Sequence, residues 1–323
     1  MNDMVRIGLY GDNGHQLPAN GATCGKAGTV ICYAGLTKEP DLSADLRRHE
    51  SLEAMLEDPE VDLVSLCSPR RADQADDAIR CMQAGKHVLA EKPCAMSERD
   101  LNRIIETATT TGLVFHEMAP TVVEEPYATM RSVVADGSIG EVVQVYAQKS
   151  YPWHQGRPQD EAIDGGLLRQ AGIYLYRFVE HIAGIPVVRT DAWETTLGNH
   201  GPDSECRRAV SVMMRLENGG IASGIANYCA PPPEDWGQWG YETLRIYGTA
   251  GFVESINHGE VLRLVTTGGG IRNFTPGTGA PGFTERVLLH VAGRRAPDLG
   301  IEEELHPTRM VNQAKARADA AGA

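Results

Sequence analysis

The sequence predicts a two-domain α/β protein, with an N-terminal Rossmann-type parallel sheet and a C-terminal α+β domain built on a mostly antiparallel sheet. Three observations predict it. Short apolar runs alternate with helical periodicity over the first 118 residues, a glycine-rich turn follows the first apolar run, and alternating strand patterns dominate after residue 141. We place the boundary near residue 118 and expect domains at 1–118 and 119–323.

The composition is that of a globular protein. Hydrophobic residues make up 42% and charged residues 23% of the 323 residues, and the net charge of -13 disfavours binding to nucleic acid or anionic membranes. The seven cysteines are scattered without a Cys-x-x-Cys pair, so we expect reduced thiols and no metal site. No apolar run has the length of a signal peptide or a membrane-spanning helix. We therefore expect a cytoplasmic protein.

The first strand, Val5 to Tyr10, leads into the turn Gly11-Asp12-Asn13-Gly14-His15, which is rich in residues that tolerate positive φ. A strand followed by such a turn begins a dinucleotide-binding unit, whose fingerprint is Gly-x-Gly-x-x-Gly. Only the first of these glycines is present. Asn13 can adopt a left-handed conformation, however, and Gly14 can restore the close approach to a pyrophosphate. A proline and a glycine soon afterwards predict a short or irregular first helix.

The second strand, 29–34, ends without the acidic residue that accepts hydrogen bonds from the adenine ribose of NAD. Lys38, or Arg47 with Arg48, could instead neutralise the 2′-phosphate of NADP, and solvated surface cations are an equal alternative. The predicted cofactor is therefore NAD or NADP.

The following strands continue the parallel pattern. An apolar run at 63–67 ends at Ser68-Pro69, and helical periodicity over 72–84 closes at a glycine before a second apolar run, 87–90. This order predicts a right-handed parallel crossover. The second run ends in Glu91-Lys92-Pro93, which places a carboxylate and an ammonium at the carboxyl edge of the sheet, where open α/β sheets bind ligands.

The rest of the chain is predicted from its periodicity. Helices are expected at 98–110, 127–136, 172–182, 283–292 and 308–320. Strands are expected at 113–115, 141–148, 187–195, 209–215, 221–228, 242–247, 251–254 and 261–266. The glycine-rich segment 268–282 is expected to be a mobile connection.

Over nearly its whole length the chain resembles the glucose-fructose oxidoreductase, inositol dehydrogenase and MocA (Gfo/Idh/MocA) family of NAD(P)-dependent oxidoreductases. The resemblance rests on segments that share order and spacing, at 51–53, 61–64, 68–69, 84–93, 137–142, 165–168 and 246–251. It implies that Lys92 lies beside the nicotinamide and the reacting hydroxyl, and that Pro93 is a cis residue. The expected cofactor site comprises Gly11, Asn13, Gly14, Ser68, Pro69, Glu91, Lys92 and Pro93.

The family's second catalytic segment usually supplies an Asp and, four residues later, a His. Here these positions hold Gln170 and Tyr174, on one face of the predicted helix. Some members carry Tyr in the second position, so the resemblance implies proton transfer by Tyr174, while Gln170 could orient a substrate hydroxyl. A phenol pKa of about 10 is high for a base, so a cation such as Lys92 would have to favour the phenolate. The alternative for Tyr174 is a core aromatic.

The segment from Tyr151 to Arg157 supplies the candidate substrate contacts. Trp153, His154 and Arg157 suit stacking on a sugar ring and hydrogen bonding to its hydroxyls, and a packed loop is the alternative. The family's members commonly associate through the open face of the C-terminal sheet, which implies a homodimer or homotetramer.

The expected reaction is a reversible hydride transfer between NAD(P) and a secondary alcohol of a sugar, cyclitol or related polyol. Two alternatives stay open. One is redox-neutral elimination or glycoside cleavage with permanently bound NAD, and the other is a non-catalytic protein that senses a ligand or binds a partner.

Overall fold

The first sheet has the Rossmann strand order. The computed structural model describes residues 4–37, 46–154, 156–199, 206–275, 277 and 281–322. The strands of this sheet are β1 (Val5–Tyr10), β2 (Gly28–Ala34), β3 (Arg47–Arg48), β4 (Leu63–Leu66), β5 (His87–Ala90) and β6 (Phe115–Glu117). They pair in the order β3-β2-β1-β4-β5-β6, and every pairing is parallel. The strand order reverses between β1 and β4, and such a point is where open α/β sheets bind ligands.

The second sheet is mostly antiparallel. Its strands are β7 (Val142–Pro152), β8 (Val187–Thr195), β9 (Ala209–Leu216), β10 (Ile221–Ala230), β11 (Tyr241–Gly248), β12 (Gly251–Ile256), β13 (Val261–Thr266) and β14 (Gly270–Asn273). They follow the order β14-β13-β12-β11-β7-β10-β9-β8, in which only β7 and β10 pair in parallel. Both parts of the predicted fold class are therefore confirmed.

The α-helices are α1 (Leu52–Leu56), α2 (Gln74–Gln83), α3 (Glu98–Thr111), α4 (Tyr127–Ala135), α5 (Glu161–Asp164), α6 (Ile173–Arg177), α7 (Pro233–Trp236), α8 (Phe283–Val291) and α9 (Ile301–Gly322). None of the helices in the described part of the chain combines the length and apolarity that crossing a bilayer requires. Ser97 caps α3 by accepting a hydrogen bond from the Asp100 amide, and Gly112 ends the helix at a φ of 66°.

Three predicted elements differ from the structure. The helix expected at 308–320 begins at Ile301, as α9, and Pro307 lies inside it although proline usually interrupts a helical pattern. The segment 268–282 was expected to be only a connection, but Gly270–Asn273 forms β14 on the edge of the second sheet. All four of its residues are exposed, so the sequence lacks the alternation of apolar and polar residues that predicts a half-buried strand. The strand predicted at 113–115 begins instead at Phe115 and runs to Glu117. The Val114 amide donates to the His87 side chain, at 2.9 Å, and not to a strand carbonyl.

One face of the first sheet is covered by α1, α2 and α3, which bury Leu52, Met82 and Leu101 against it. The opposite face lacks the helix that a Rossmann unit usually has between β1 and β2, because residues 11–27 form turns. Helix α8 takes that place, packing Val287 and Leu288 with apolar residues of β1. A side chain at Gly28 would lie 2.8 Å from Leu288 Cδ1, so α8 packs closely on β2.

The chain forms two compact units. The first unit contains Met1–Pro120, Ala162–Gly165 and Ala280–Leu305, and the second contains Thr121–Glu161, Gly166–Gly279 and His306–Ala323. The predicted division at residue 118 stays a prediction of domain organisation.

Candidate functional site

The turn after β1 lies at the point where the strand order of the first sheet reverses. Gly11 has a φ of 67°, and a Cβ at this position would lie 2.1 Å from the carbonyl oxygen of Cys67. Only glycine fits such a contact with neighbouring backbone. The first glycine of the predicted fingerprint is therefore required by the geometry of the turn.

Gln16, in the position of the third fingerprint glycine, fills the space between the ends of β1 and β4. Its side-chain nitrogen lies 3.2, 2.8 and 3.1 Å from the carbonyl oxygens of Tyr10, Gly11 and Ser65. Its side-chain oxygen accepts from the Ser65 hydroxyl at 2.5 Å and from the Leu17 amide at 2.8 Å. The fingerprint pattern marks only a missing glycine at this position, but a polar residue in that place is a signal that this turn differs.

Asn13 is held by its side chain. It does not adopt the left-handed conformation that the sequence allowed, and its amide group donates to the carbonyl oxygens of Pro69, at 3.2 Å, and Ile163. Behind the turn lies the fully buried guanidinium of Arg71, which donates to the Asn13 carbonyl and the Gln74 side chain. The neutral amide group of Asn13 and the charged guanidinium of Arg71 thus fix the turn after β1.

Glu91 and Lys92 form a buried pair at the end of β5. They are 1% and 5% exposed, and Lys92 Nζ lies 3.9 Å from Glu91 Oε1. Burial raises the pKa of Glu91, but the hydrogen bond from His15 and the charges of Lys92 and Arg71 outweigh burial and lower that pKa to about 2. The Lys92–Pro93 peptide bond is cis, as the resemblance implied. This pair is therefore no solvated surface ion pair.

The predicted cofactor residues of the first unit gather at one sheet edge. The Ser68 hydroxyl donates to Asp77 at 2.6 Å, and Pro69 receives the Asn13 side chain. The strand order and the Gly11 turn fit a dinucleotide, and Gly11, Ser68, Pro69 and Lys92 are the residues that would hold it. No helix follows the turn. The phosphates of the dinucleotide would therefore be held without the help of a helix N-terminus.

The residues near the end of β2 that were predicted to recognise the adenine ribose or its 2′-phosphate lie partly within the described residues. After β2, the amide and hydroxyl of Thr37 donate to Asp12 at 2.8 and 2.6 Å. Arg47 pairs with Asp58 at 2.9 Å and with Glu60, so its charge is already neutralised. Lys38 lies outside the described residues.

In the second unit, Gln170 and Tyr174 lie on a helical segment with unusual hydrogen bonding. Helix α6 is flanked by two π-helical turns, Leu168–Gly172 and Phe178–Ile182. Gln170 belongs to the first π turn, and half-buried Tyr174 to the first turn of α6. The α-helical spacing assumed for this pair is thus interrupted between its members. Single π turns are frequent at functional sites.

Lys149, at the end of β7, is the cation beside Tyr174. Its Nζ lies 4.1 Å from the centroid of the Tyr174 ring and 5.2 Å from that of Tyr151. The Tyr151 and Tyr174 side chains are hydrogen bonded to each other. Lys149 is not among the predicted site residues, because the strand predicted at 141–148 stops just before it, although a lysine two positions before Tyr151 is itself a signal.

A buried carboxylate neutralises Lys149. Glu242 of β11 pairs with the Lys149 ammonium, accepts a hydrogen bond from the Tyr127 hydroxyl, and lies 3.2 Å from His258. Burial raises the pKa of Glu242, but the charge of Lys149 and the hydrogen bonds from His258, Lys149 and Tyr127 lower it to about 2. Lys149 is thereby fixed in charge and position.

Replacing Glu242 with glutamine is expected to lower the unfolding free energy at neutral pH by about 3 kcal/mol. The pKa of Glu242 is lowered from 4.5 to about 2 in the folded protein. Its contribution is therefore fully present above pH 4.5 and is lost as the pH falls toward 2. Urea unfolding of wild type and variant across this range should give a difference that shrinks on acidification. Glu217→Gln, at an exposed position, is the control, and a pH-independent difference would contradict the assignment.

The predicted substrate residues lie beyond the end of β7 in the second unit. The Arg157 guanidinium stacks on the Tyr228 ring at 3.6 Å and donates to the Pro152 carbonyl at 3.0 Å. Trp153 lies 6.3 Å from Tyr228, and His154 lies 6.5 Å from Trp239, between ring centroids. The candidate residues therefore form two groups, one in each unit: the sheet edge with Lys92, and the surroundings of Tyr174.

Two protein-family models match the chain. One is described as an oxidoreductase family with an NAD-binding Rossmann fold and matches residues 25–118, which begin after the Gly11 turn. The other is described as the GFO/IDH/MocA C-terminal domain and matches residues 127–254.

Curated relatives match part of the chain. The dTDP-3,4-didehydro-2,6-dideoxy-alpha-D-glucose 3-reductase of Streptomyces violaceoruber is 34% identical over 140 residues, which cover 42% of this chain and 40% of the reductase. The trans-1,2-dihydrobenzene-1,2-diol dehydrogenase of Bos taurus is 30% identical over 140 residues, covering 43% and 41%. The chain thus matches about two fifths of the length of these relatives.

Solved structures match the fold over nearly the whole chain. The aldose-aldose oxidoreductase of Caulobacter crescentus has a TM-score of 0.80 at 18% identity, covering 98% of both chains. A levoglucosan dehydrogenase solved with NADH and L-sorbose has a TM-score of 0.79 at 18% identity, covering 98% of this chain and 97% of the dehydrogenase. At such identities the likeness shows the fold alone.

Proposed function

We propose, from the premise that the chain belongs to the Gfo/Idh/MocA family of NAD-binding oxidoreductases, that it transfers a hydride between the nicotinamide and a secondary alcohol of a sugar, cyclitol or related polyol. The observation that carries the proposal is the buried Glu91-Lys92 pair followed by a cis proline at the carboxyl edge of a Rossmann sheet. Relatives named for a deoxysugar and for a dihydrodiol support this substrate class.

Each candidate site residue has its own role in the proposed reaction. When bound, the cofactor supplies or accepts the hydride. In our proposal Lys92 binds the reacting oxygen and stabilises the negative charge that develops on it, since an ammonium held in a buried site is an effective electrostatic stabiliser. Glu91 orients Lys92 through their ion pair. Gln170 donates a hydrogen bond to a substrate hydroxyl or accepts one from it.

Tyr174 is proposed to move the proton at its phenolic oxygen. The Lys149 ammonium lies 4.1 Å from its ring centroid and the Arg177 guanidinium 5.7 Å, so two cationic side chains face the ring from which the proton would leave. The hydrogen bond to Tyr151 offers the proton a second oxygen. We therefore assign to Lys149 the role that the sequence analysis gave to Lys92, that of the cation that makes a tyrosine an effective base.

The proposal is tested by measuring whether the nicotinamide undergoes a net change in oxidation state during turnover. The purified chain is incubated with NAD and, in turn, with hexoses, inositols and acyclic polyols, and the absorbance of reduced nicotinamide is followed. We expect NADH to form in proportion to the ketone produced. A product that forms with no net change in nicotinamide absorbance would overturn the dehydrogenase assignment in favour of redox-neutral chemistry.

We further propose a homodimer or homotetramer that associates through the outer face of the second sheet. Val143, Trp193, Met213 and Ile221 are exposed apolar residues of its strands. Light scattering of the purified protein would detect the oligomer.

A further inference from the structure

Two arginines each stack on an aromatic ring in the second unit, and the two rings lie next to each other at an interplanar angle of 56°. We call this group the arginine–aromatic stack: Arg157, Tyr228, Trp153 and Arg208. The Arg157 guanidinium lies 3.6 Å from the Tyr228 ring centroid, and the Arg208 guanidinium lies 4.3 Å from that of Trp153. The two rings between them are 6.3 Å apart. Because planar guanidinium groups rest on aromatic faces, their edges stay available for hydrogen bonding.

Neither guanidinium is paired with an acid among the described residues. Arg157 donates only to the Pro152 carbonyl, and its buried Nε has no hydrogen-bond partner. The buried Nε and Nη1 of Arg208 likewise lack a partner. Buried donors without acceptors are rare in folded proteins, and each such atom calls for an explanation. In a chain of net charge -13, two arginines without an acidic partner in one aromatic cluster are notable.

The stack is connected to the proposed proton-transfer residue. Tyr151 is hydrogen bonded to Tyr174. Burial raises the pKa of the Tyr151 phenol, Tyr228 raises it further, and the Arg157 charge lowers it, so both stack residues lie near Tyr151. The Arg157 charge also lowers the pKa of His154, after the larger effect of burial. The unpaired donors therefore belong to the same part of the second unit as Tyr174.

We infer that Arg157 and Arg208 bind an oxyanion substituent of the substrate, a carboxylate or a phosphate ester, so that the substrate is an acidic sugar or polyol. The inference rests on the proposed function, which supplies the reacting secondary alcohol. The edge of each guanidinium carries N–H donors in a planar fork, which suits carboxylate or phosphate oxygens. The rings of Trp153 and Tyr228 would line the same subsite.

Direct binding tests the inference on the full chain saturated with NAD. Calorimetry with D-glucose, D-glucuronate and D-glucose 6-phosphate compares one skeleton with and without each oxyanion. We expect an anionic probe to bind about tenfold or more tightly than glucose. Arg208→Met should remove most of that difference and leave glucose affinity within about twofold, while Arg208→Lys should retain part of it because charge remains without the fork.

Arg189→Met is the matched control, since Arg189 is an exposed arginine of the same unit, 3.4 Å from Asp191. Tighter binding of glucuronate assigns a carboxylate, and tighter binding of glucose 6-phosphate assigns a phosphate ester. Equal affinity for all three probes, no binding of either anion, or equal weakening of glucose and anions by Arg208→Met would overturn the inference. Selective anion binding without nicotinamide turnover would instead refute the proposed function and leave the oxyanion subsite standing.

Discussion

Replacing Lys92 with methionine is expected to lower kcat by at least about 10²-fold while leaving the affinity for NAD within about twofold. In the proposed reaction the Lys92 ammonium stabilises the charge that develops on the substrate oxygen. Methionine retains the length of the side chain and removes the ammonium, which also leaves the Glu91 carboxylate without its Lys92 partner. Steady-state kinetics with the polyol found in the turnover screen, and calorimetry with NAD, separate the two effects.

Lys86→Met provides the matched control. Lys86 is also buried, 7% exposed, but its ammonium donates to the carbonyl oxygens of Asp58 and Val61, at 2.7 and 2.9 Å, away from the carboxyl edge. This variant should lose stability and retain the kcat of its folded fraction. Wild-type turnover by Lys92→Met would remove Lys92 from the mechanism.

Replacing Tyr174 with phenylalanine is expected to lower kcat by about 10²- to 10⁴-fold, the range that a positioned acid or base contributes. The substitution keeps the ring that covers the Lys149 ammonium, and only the proton-transfer oxygen is lost. The wild type should show a rise of kcat with pH that follows the ionisation of a tyrosine, and the variant should lack it. Rates measured across pH with saturating substrate check both statements.

Tyr176→Phe is the control for this experiment. Tyr176 lies in the same helix and is fully buried, with its hydroxyl 2.6 Å from the Thr190 hydroxyl. Loss of that hydrogen bond should cost about 1 kcal/mol of stability and leave the pH profile unchanged. If Tyr174→Phe kept both the rate and the pH profile of wild type, Tyr174 would be a core aromatic residue.

Local sequence was sufficient for most of the fold. Strand β5 and its charged end, Glu91-Lys92-Pro93, were found because a buried parallel strand is a short apolar run and its end falls at the sheet edge. Gly11 was found because a turn with positive φ needs glycine. Each of these features depends on a few consecutive residues and can therefore be predicted from local sequence.

The site residues that were missed depend on distant partners. Lys149 and Glu242 are 93 positions apart, so neither residue alone indicates a buried ion pair. Gln16 bonds Ser65 across 49 positions, and Arg208 meets Trp153 only through the pairing of the second sheet. Helix α8 replaces the first crossover helix, and no local pattern predicts where a helix will dock.

That replacement has a consequence for the order in which the chain folds during its synthesis. Domains generally fold as units from the N-terminus while translation proceeds. Here, one apolar face of the first sheet is completed by Val287 and Leu288, which are synthesised after the strands of the second sheet. One face of the N-terminal sheet therefore stays uncovered until the chain has been synthesised past the second sheet and through α8, and until then it is exposed to chaperones and to aggregation.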